Sequence, residues 1–134
     1  MIIDMNIWLE VLLDHEHAEE CAEFLQLVAD GEILAYVTDF AIHGIVVILE
    51  RHGLRGHIRD FLATLEGFRG LTLLHATLAE QIEIAEFAQQ TGLTFDDAYQ
   101  AFFAQRMGIS VVSFDSDYDG IVPRVEPSEV LRRR

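Results

Sequence analysis

The strongest constraint on this chain is the alternation of short apolar runs with longer segments of helical period, punctuated by glycine. Ile109 to Phe114, rich in β-branched residues, reads as a buried strand, and Met1–Asp4, Ile33–Thr38 and Leu71–His75 as three more. Between them lie helical segments. Met5–Leu13 is mostly apolar and predicts a buried helix. His15–Asp30 places Ala18, Cys21, Ala22, Leu25 and Val28 on one face, with Glu16, Glu19, Glu20 and Glu23 mainly opposite. Thr38 or Asp39 caps a helix running to about His52, and Leu54–Glu66 and Thr77–Gln90 predict two more. Thr94–Met107 opens on a Thr-x-x-Asp capping pattern and stops at Gly108. Val122–Glu126 reads as a short edge strand, a place where Pro123 is tolerated. Strands alternating with helices require right-handed crossovers and a parallel sheet covered on both faces, so the fold class is α/β. No linker or repeat interrupts the chain, which predicts a single domain over residues 1–134.

Composition narrows the chemistry. With 134 residues, 51% of them hydrophobic, the chain can bury a core without disulfide or metal staples. Twenty-three acids face nine basic residues, a net charge of −14, and every basic residue is arginine. The absence of lysine excludes P-loop NTPases, haloacid-dehalogenase-type phosphatases, pyridoxal enzymes and protein kinases, all of which need a catalytic lysine. The single cysteine, Cys21, allows neither an internal disulfide nor a cysteine-based zinc site. No apolar run approaches the roughly 20 residues of a membrane span, and Met1-Ile-Ile-Asp4 lacks the basic start of a signal peptide. A cytoplasmic location without membrane attachment is the expectation.

The acids fall into a pattern. Asp4 ends the first strand, and Asp115 ends the Ile109–Phe114 strand, with Asp117 and Asp119 just beyond. Asp96 and Asp97 open the helix that feeds that strand from behind, so they start at the same edge. In a parallel sheet the carboxyl edge is where open α/β folds build their sites. Carboxylates gathered there repel one another and call for a cation. All-oxygen donors favour Mg²⁺ or Mn²⁺, ions that activate water and neutralise a phosphodiester. The implied chemistry is metal-assisted phosphodiester hydrolysis.

At these residues the sequence resembles the PIN-domain ribonucleases, including VapC-type toxins. The matching pieces are Ile2-Ile3-Asp4-Met5-Asn6, then Phe95-Asp96-Asp97-Ala98-Tyr99-Gln100-Ala101, and Val111-Val112-Ser113-Phe114-Asp115-Ser116-Asp117-Tyr118. The resemblance implies a three-layer α/β/α sandwich around a central, mostly parallel five-stranded sheet. It also implies Mg²⁺- or Mn²⁺-dependent cleavage of single-stranded RNA. Asp4, Asp97 and Asp115 would be the metal ligands, Asp117 would join the same catalytic cluster beside Asp96, and Asn6 would orient Asp4 or hold a water. A small antitoxin protein would be the natural partner of such a toxin. One departure stands out. The glutamate that the family carries in the helix after the second strand falls at Gly44, with His43 beside it as a variant ligand or orienter. Glu50, six residues on, is rotated by about 240° and is a poor substitute. Gly44 favours a rival in which a catalytically silent PIN fold acts through protein–protein binding.

Plainer readings compete. Asp97 also fits as the N3 acid of a Thr94 capping box, Asp4 as a helix cap, and Asp115, Asp117 and Asp119 as turn acids. Residues 115–126 satisfy the EF-hand loop pattern, yet a strand precedes them and a proline follows, so calcium binding ranks third. The scattered histidines read as surface or packed residues. Ile7–Leu13, Tyr99, Phe102 and Phe103 belong either to the core or to a homodimer or partner interface. The first 50 residues hold eleven acids and no basic residue, which opposes general affinity for phosphates. Arg51, Arg55 and Arg59 form the basic patch closest to an RNA-binding pattern, although Gly53 and Gly56 break their helix.

Overall fold

A computed structural model describes residues 1–134. Its centre is a sheet of five parallel strands: β1 (Ile2–Ile3), β2 (Ala35–Thr38), β3 (Leu71–Leu74), β4 (Val111–Val112) and β5 (Arg124–Val125). Their spatial order is β3-β2-β1-β4-β5. Seven helices cover it: α1 (Met5–Leu12), α2 (Ala18–Ala29), α3 (Asp39–Arg51), α4 (Ile58–Glu66), α5 (Leu78–Thr91), α6 (Phe95–Met107) and α7 (Pro127–Arg132). Successive residues of a strand point to opposite faces, and the two residues of central β1 divide accordingly. Ile3 packs with Ile7, Phe24, Ile45, Phe61 and Val112 on the side of α1–α4 and α7. Ile2 packs with Ile84, Ala98, Tyr99, Val111 and Tyr118 on the side of α5 and α6. The result is the expected three-layer α/β/α sandwich.

Several boundaries differ from the sequence expectations, each for a local reason. The strand expected over Ile109–Phe114 contracts to Val111–Val112, because Ile109 N–H bonds back to Ala104 at the end of α6. The helix expected from His15 starts at Ala18, since the Glu10 carboxylate takes the His17 N–H at 2.9 Å. Leu54–Glu66 divides into a 3₁₀ turn, Arg55–His57, and α4. Thr94 forms no capping box; its hydroxyl donates to Asp96 Oδ1 instead. The boxes form at Thr77/Glu80 and at Glu126/Glu129. The latter, with Pro127 at the first helical position, opens α7, which the sequence reading did not anticipate. Gly70 is required by close approach: a Cβ there would lie 2.1 Å from the Ile33 carbonyl oxygen. That contact seats the α2–β2 connection against the start of β3. No helix is long and apolar enough to cross a membrane.

Candidate metal centre

β1 delivers Asp4 to the carboxyl edge of the sheet, where its side chain is only 6% exposed. Asp4 Oδ1 accepts from Met5 N–H at 2.8 Å, capping α1, and from Gln100 Nε2 at 2.7 Å. Its Oδ2 accepts from the Ser113 hydroxyl at 2.5 Å. Burial outweighs these donors and pushes the Asp4 carboxyl above the ordinary aspartate range. Ser113 follows β4, and its hydroxyl oxygen also accepts the Asp115 N–H at 2.9 Å, fixing the turn that carries the last acids. Asp115 Oδ1 in turn accepts the Asp117 N–H at 2.9 Å across the 3₁₀ turn Ser116–Tyr118.

Asp97 stands in the first turn of α6, and Tyr118, fully buried, donates its hydroxyl to Asp97 Oδ1 at 3.0 Å. The same Tyr118 oxygen accepts from Gln100 Nε2 at 2.9 Å. Burial raises the Asp97 carboxyl to about 6, and Asp96, Asp4 and Asp115 add to the rise by like-charge repulsion. Carboxylate oxygens of Asp97, Asp115 and Asp117 lie within 4.8 Å of one another. Three hard oxygen donors at that spacing fit one divalent cation of the Mg²⁺ or Mn²⁺ class. Asp4, an expected ligand, lies outside this group and reaches it through Gln100, Tyr118 and Ser113.

The supporting residues fare unevenly. Asp96 lines a cavity of about 90 Å³ with Asp4, Met5, Phe40, Ala41, Gly44 and Gln100, while its carboxylate holds the Thr94 hydroxyl and the Asp97 N–H. Asn6 does not orient Asp4: Asp4's partners are Met5, Gln100 and Ser113, and Asn6 Oδ1 is buried without a partner. His43 is exposed on α3 and stands outside the carboxylate group, because one residue of helix turns it about 100° from Gly44, which faces the cavity. Gly44 itself has no room for a side chain as packed: a Cβ would sit 2.7 Å from Met5 Sδ.

Arg51 ends α3, about 18 Å along the helix from its start at the sheet edge. A hollow of about 410 Å³ lined by Met5, Phe40, His43, Gly44 and Val47 connects it to the cavity. Arg55 and Arg59 are highly exposed and pair with Glu50 and Asp60. The EF-hand pattern does not form an EF-hand. β4 stands where an entering helix is needed, β5 lies inside the loop, and Arg124 binds both Asp119 and Glu126.

Sequence reasoning missed Gln100, Ser113 and Tyr118 as builders of the site. Gln100 had a signal: it stands three residues after Asp97, so the two share a helix face, and it is the one amide in an otherwise apolar stretch. Tyr99 adds a brace, donating to Asp39 Oδ1 at 2.8 Å and accepting the Ala76 N–H at 2.8 Å.

Solved structures share this architecture. VapC20 of Mycobacterium tuberculosis, described as a sarcin-ricin loop cleaving toxin, superposes with a TM-score of 0.72 at 16% identity, over 90% of this chain and 95% of that one. A chain of a toxin–antitoxin complex from Klebsiella pneumoniae gives 0.68 at 16% identity, covering 94% and 96%. FitAcB from Neisseria gonorrhoeae gives 0.64 at 16% identity, covering 95% and 97%. No curated protein matches the sequence. The family model for the PIN domain matches residues 1–122, and the chain therefore belongs to the PIN-domain family.

Proposed function

We propose that this protein is a Mg²⁺- or Mn²⁺-dependent endoribonuclease of toxin type that hydrolyses single-stranded RNA. PIN domains are in general nucleases that work with divalent metals, and the observation carrying the reading here is the convergence of Asp97, Asp115 and Asp117 at the carboxyl edge of the sheet. These three residues would hold the cation, with Asp4 behind them. A cation so bound lowers the pKa of its water and offsets charge on a phosphodiester. The chain's own residues prepare that site. Tyr118 holds the Asp97 carboxylate by a hydrogen bond, and Ser113 fixes the backbone of Asp115. Phe40, 40% exposed at the cavity, offers a ring face on which an unpaired base stacks. Arg51, at the far end of the adjoining hollow, supplies a phosphate contact, with Arg55 and Arg59 beyond it.

The partner in this reading is a small antitoxin, in keeping with the toxin–antitoxin complex among the structural neighbours. An apolar hollow of about 280 Å³ between α1, α2 and α4, lined by Trp8, Val11, Leu25, Phe61 and Phe68, is where such a protein or a second copy would pack. The cytoplasm is the compartment we assign.

The test is cleavage of a single-stranded RNA by purified protein with Mn²⁺, beside Asp97→Asn and Asp115→Asn. Activity in wild type that disappears in both variants supports the reading, and activity that survives them refutes the site. A second reading, a catalytically silent fold that acts by binding protein, is favoured by the bare Gly44 under Met5. Absence of cleavage by wild type with either metal would select it.

A further inference from the structure

We propose that Arg124 is a positioning residue for the metal centre: its guanidinium ties together both ends of the turn that carries Asp115 and Asp117, Ser113 at one end and Asp119 at the other. This rests on the metal reading above and concerns how the chain keeps its donors in place before an ion arrives.

The turn has reason to open. Asp97, Asp115 and Asp117 bring carboxylate oxygens within 4.8 Å of one another, and like charges at that spacing repel. Asp117 is exposed, on the single 3₁₀ turn Ser116–Tyr118. Local bonds supply part of the restraint. Asp115 N–H donates to the Ser113 hydroxyl oxygen, Asp117 N–H to Asp115 Oδ1, and Asp119 N–H to the Ser116 carbonyl at 3.0 Å. These bonds reach only two or three residues along the chain, so they shape the turn without fixing it to the sheet. Tyr118 secures its inner side to α6 through Asp97.

Arg124 supplies the tie to the sheet. It stands on β5 in register with Val111 of β4, its side chain 17% exposed. Nε and Nη2 donate to Asp119 Oδ1 and Oδ2 at 2.8 and 3.1 Å, the paired fork that holds a carboxylate in one orientation. Nη1 donates to the Ser113 carbonyl at 3.2 Å. Ser113 is fully buried; its N–H donates to the Val125 carbonyl at 3.0 Å, and its hydroxyl meets both Asp4 and the Asp115 N–H. One residue thus passes the hold of β5 on to the acids. Nη1 also reaches Glu126 at 3.3 Å, a contact outside the turn. A fixed positive charge beside an acidic rim opposes a metal ion by charge alone. Positioning acts the other way, because donors already in place spare the ion the cost of ordering them.

The two effects differ in sign, which makes the experiment decisive. In calorimetric titration with Mn²⁺, Arg124→Gln is expected to bind about tenfold more weakly than wild type, although it removes a repelling charge. Arg124→Lys keeps the charge and loses the fork, and is expected to bind about tenfold more weakly as well. Glu126→Gln releases only the contact outside the turn and is expected to stay near the wild-type affinity. In metal-free protein, amide exchange of Asp115 and Asp117, followed by NMR, is expected to be several-fold faster in both Arg124 variants. Unchanged or tighter Mn²⁺ binding in folded Arg124→Gln, wild-type affinity in Arg124→Lys, or unchanged exchange overturns the inference and leaves the metal reading standing. A loss in Glu126→Gln equal to that in Arg124→Gln overturns it too, since general loosening around β5 would then be the cause. No Mn²⁺ binding by the wild type overturns both. Should Arg124→Gln fail to fold, Arg124→Lys decides by the same two measurements.

Discussion

Tyr118→Phe isolates one atom of the hydrogen-bonded bridge that runs from Asp4 through Gln100 and Tyr118 to Asp97. The ring stays, fully buried, and only Oη is lost, with its hydrogen bonds to Asp97 at 3.0 Å and from Gln100 at 2.9 Å. Gln100 Nε2 keeps Asp4, so no donor is stranded. Asp97 is half-buried and recovers part of its loss from water. A hydrogen bond to a charged group contributes roughly 1.5–3 kcal/mol, and a neutral one about 1 kcal/mol. With water replacing part of the first, the net cost is about 2 kcal/mol. For a chain of this size that lowers Tm by about 6–8 °C. Loss of the Tyr118 donor also lifts the Asp97 carboxyl further above its value of about 6, which weakens Mn²⁺ binding at neutral pH. The assay is a urea or thermal melt of metal-free protein followed by Mn²⁺ titration at pH 7. A Tm within about 1 °C of wild type together with unchanged Mn²⁺ affinity would refute the account, because the hydroxyl would then hold nothing.

The remaining tests are independent of that bridge. Asp4 and Asp97 bind protons more tightly folded than unfolded, so metal-free protein is expected to lose stability as pH rises from about 4 through about 6; a Tm that climbs over that interval contradicts the raised carboxyls. Saturating Mn²⁺ should lift Tm more at pH 7 than at pH 5, since those protons compete with the ion. Gly70→Ala forces a Cβ onto the Ile33 carbonyl oxygen and is expected to cost about 3 kcal/mol in a urea titration, whereas a near-neutral result means the α2–β2 connection moves freely. Charge reversal at Arg51, Arg55 and Arg59 is expected to weaken RNA binding and flatten its salt dependence; an unaltered slope removes the patch from the RNA path.

The fold was legible because its signals are collective. Alternating apolar runs and helical periods point to one answer even when single boundaries slip, and Ile2 and Ile3 divide between the two cores as strand geometry requires. The slips have local causes that periodicity does not carry. Glu10 captures the His17 N–H from seven residues away, and Thr94 spends its hydroxyl on Asp96 rather than on a cap. The acids at the carboxyl edge were legible for the same topological reason. Their grouping was not. How closely the oxygens gather depends on how the turn after β4 folds, and the Asp117 N–H bonded to Asp115 Oδ1 brings Asp117 beside Asp115.

The net charge of −14 connects these levels. Eleven of the acids lie in the first 50 residues without one basic residue, so this part of the chain repels a polyanion. For the proposed RNA substrate, the arginines assigned above are Arg51, Arg55 and Arg59 at and beyond the far end of α3, and Arg55 and Arg59 already face acids. In the proposed function, an electrostatic reach this short leaves productive binding to contacts at the rim itself: a cation on Asp97, Asp115 and Asp117, and the partly exposed ring of Phe40. That makes the ion a binding element as much as a chemical one. Removing the metal should therefore abolish retention of a short RNA oligonucleotide, and not its cleavage alone. Retention that persists in a chelator would mean that the arginines reach further than their pairing with Glu50 and Asp60 implies.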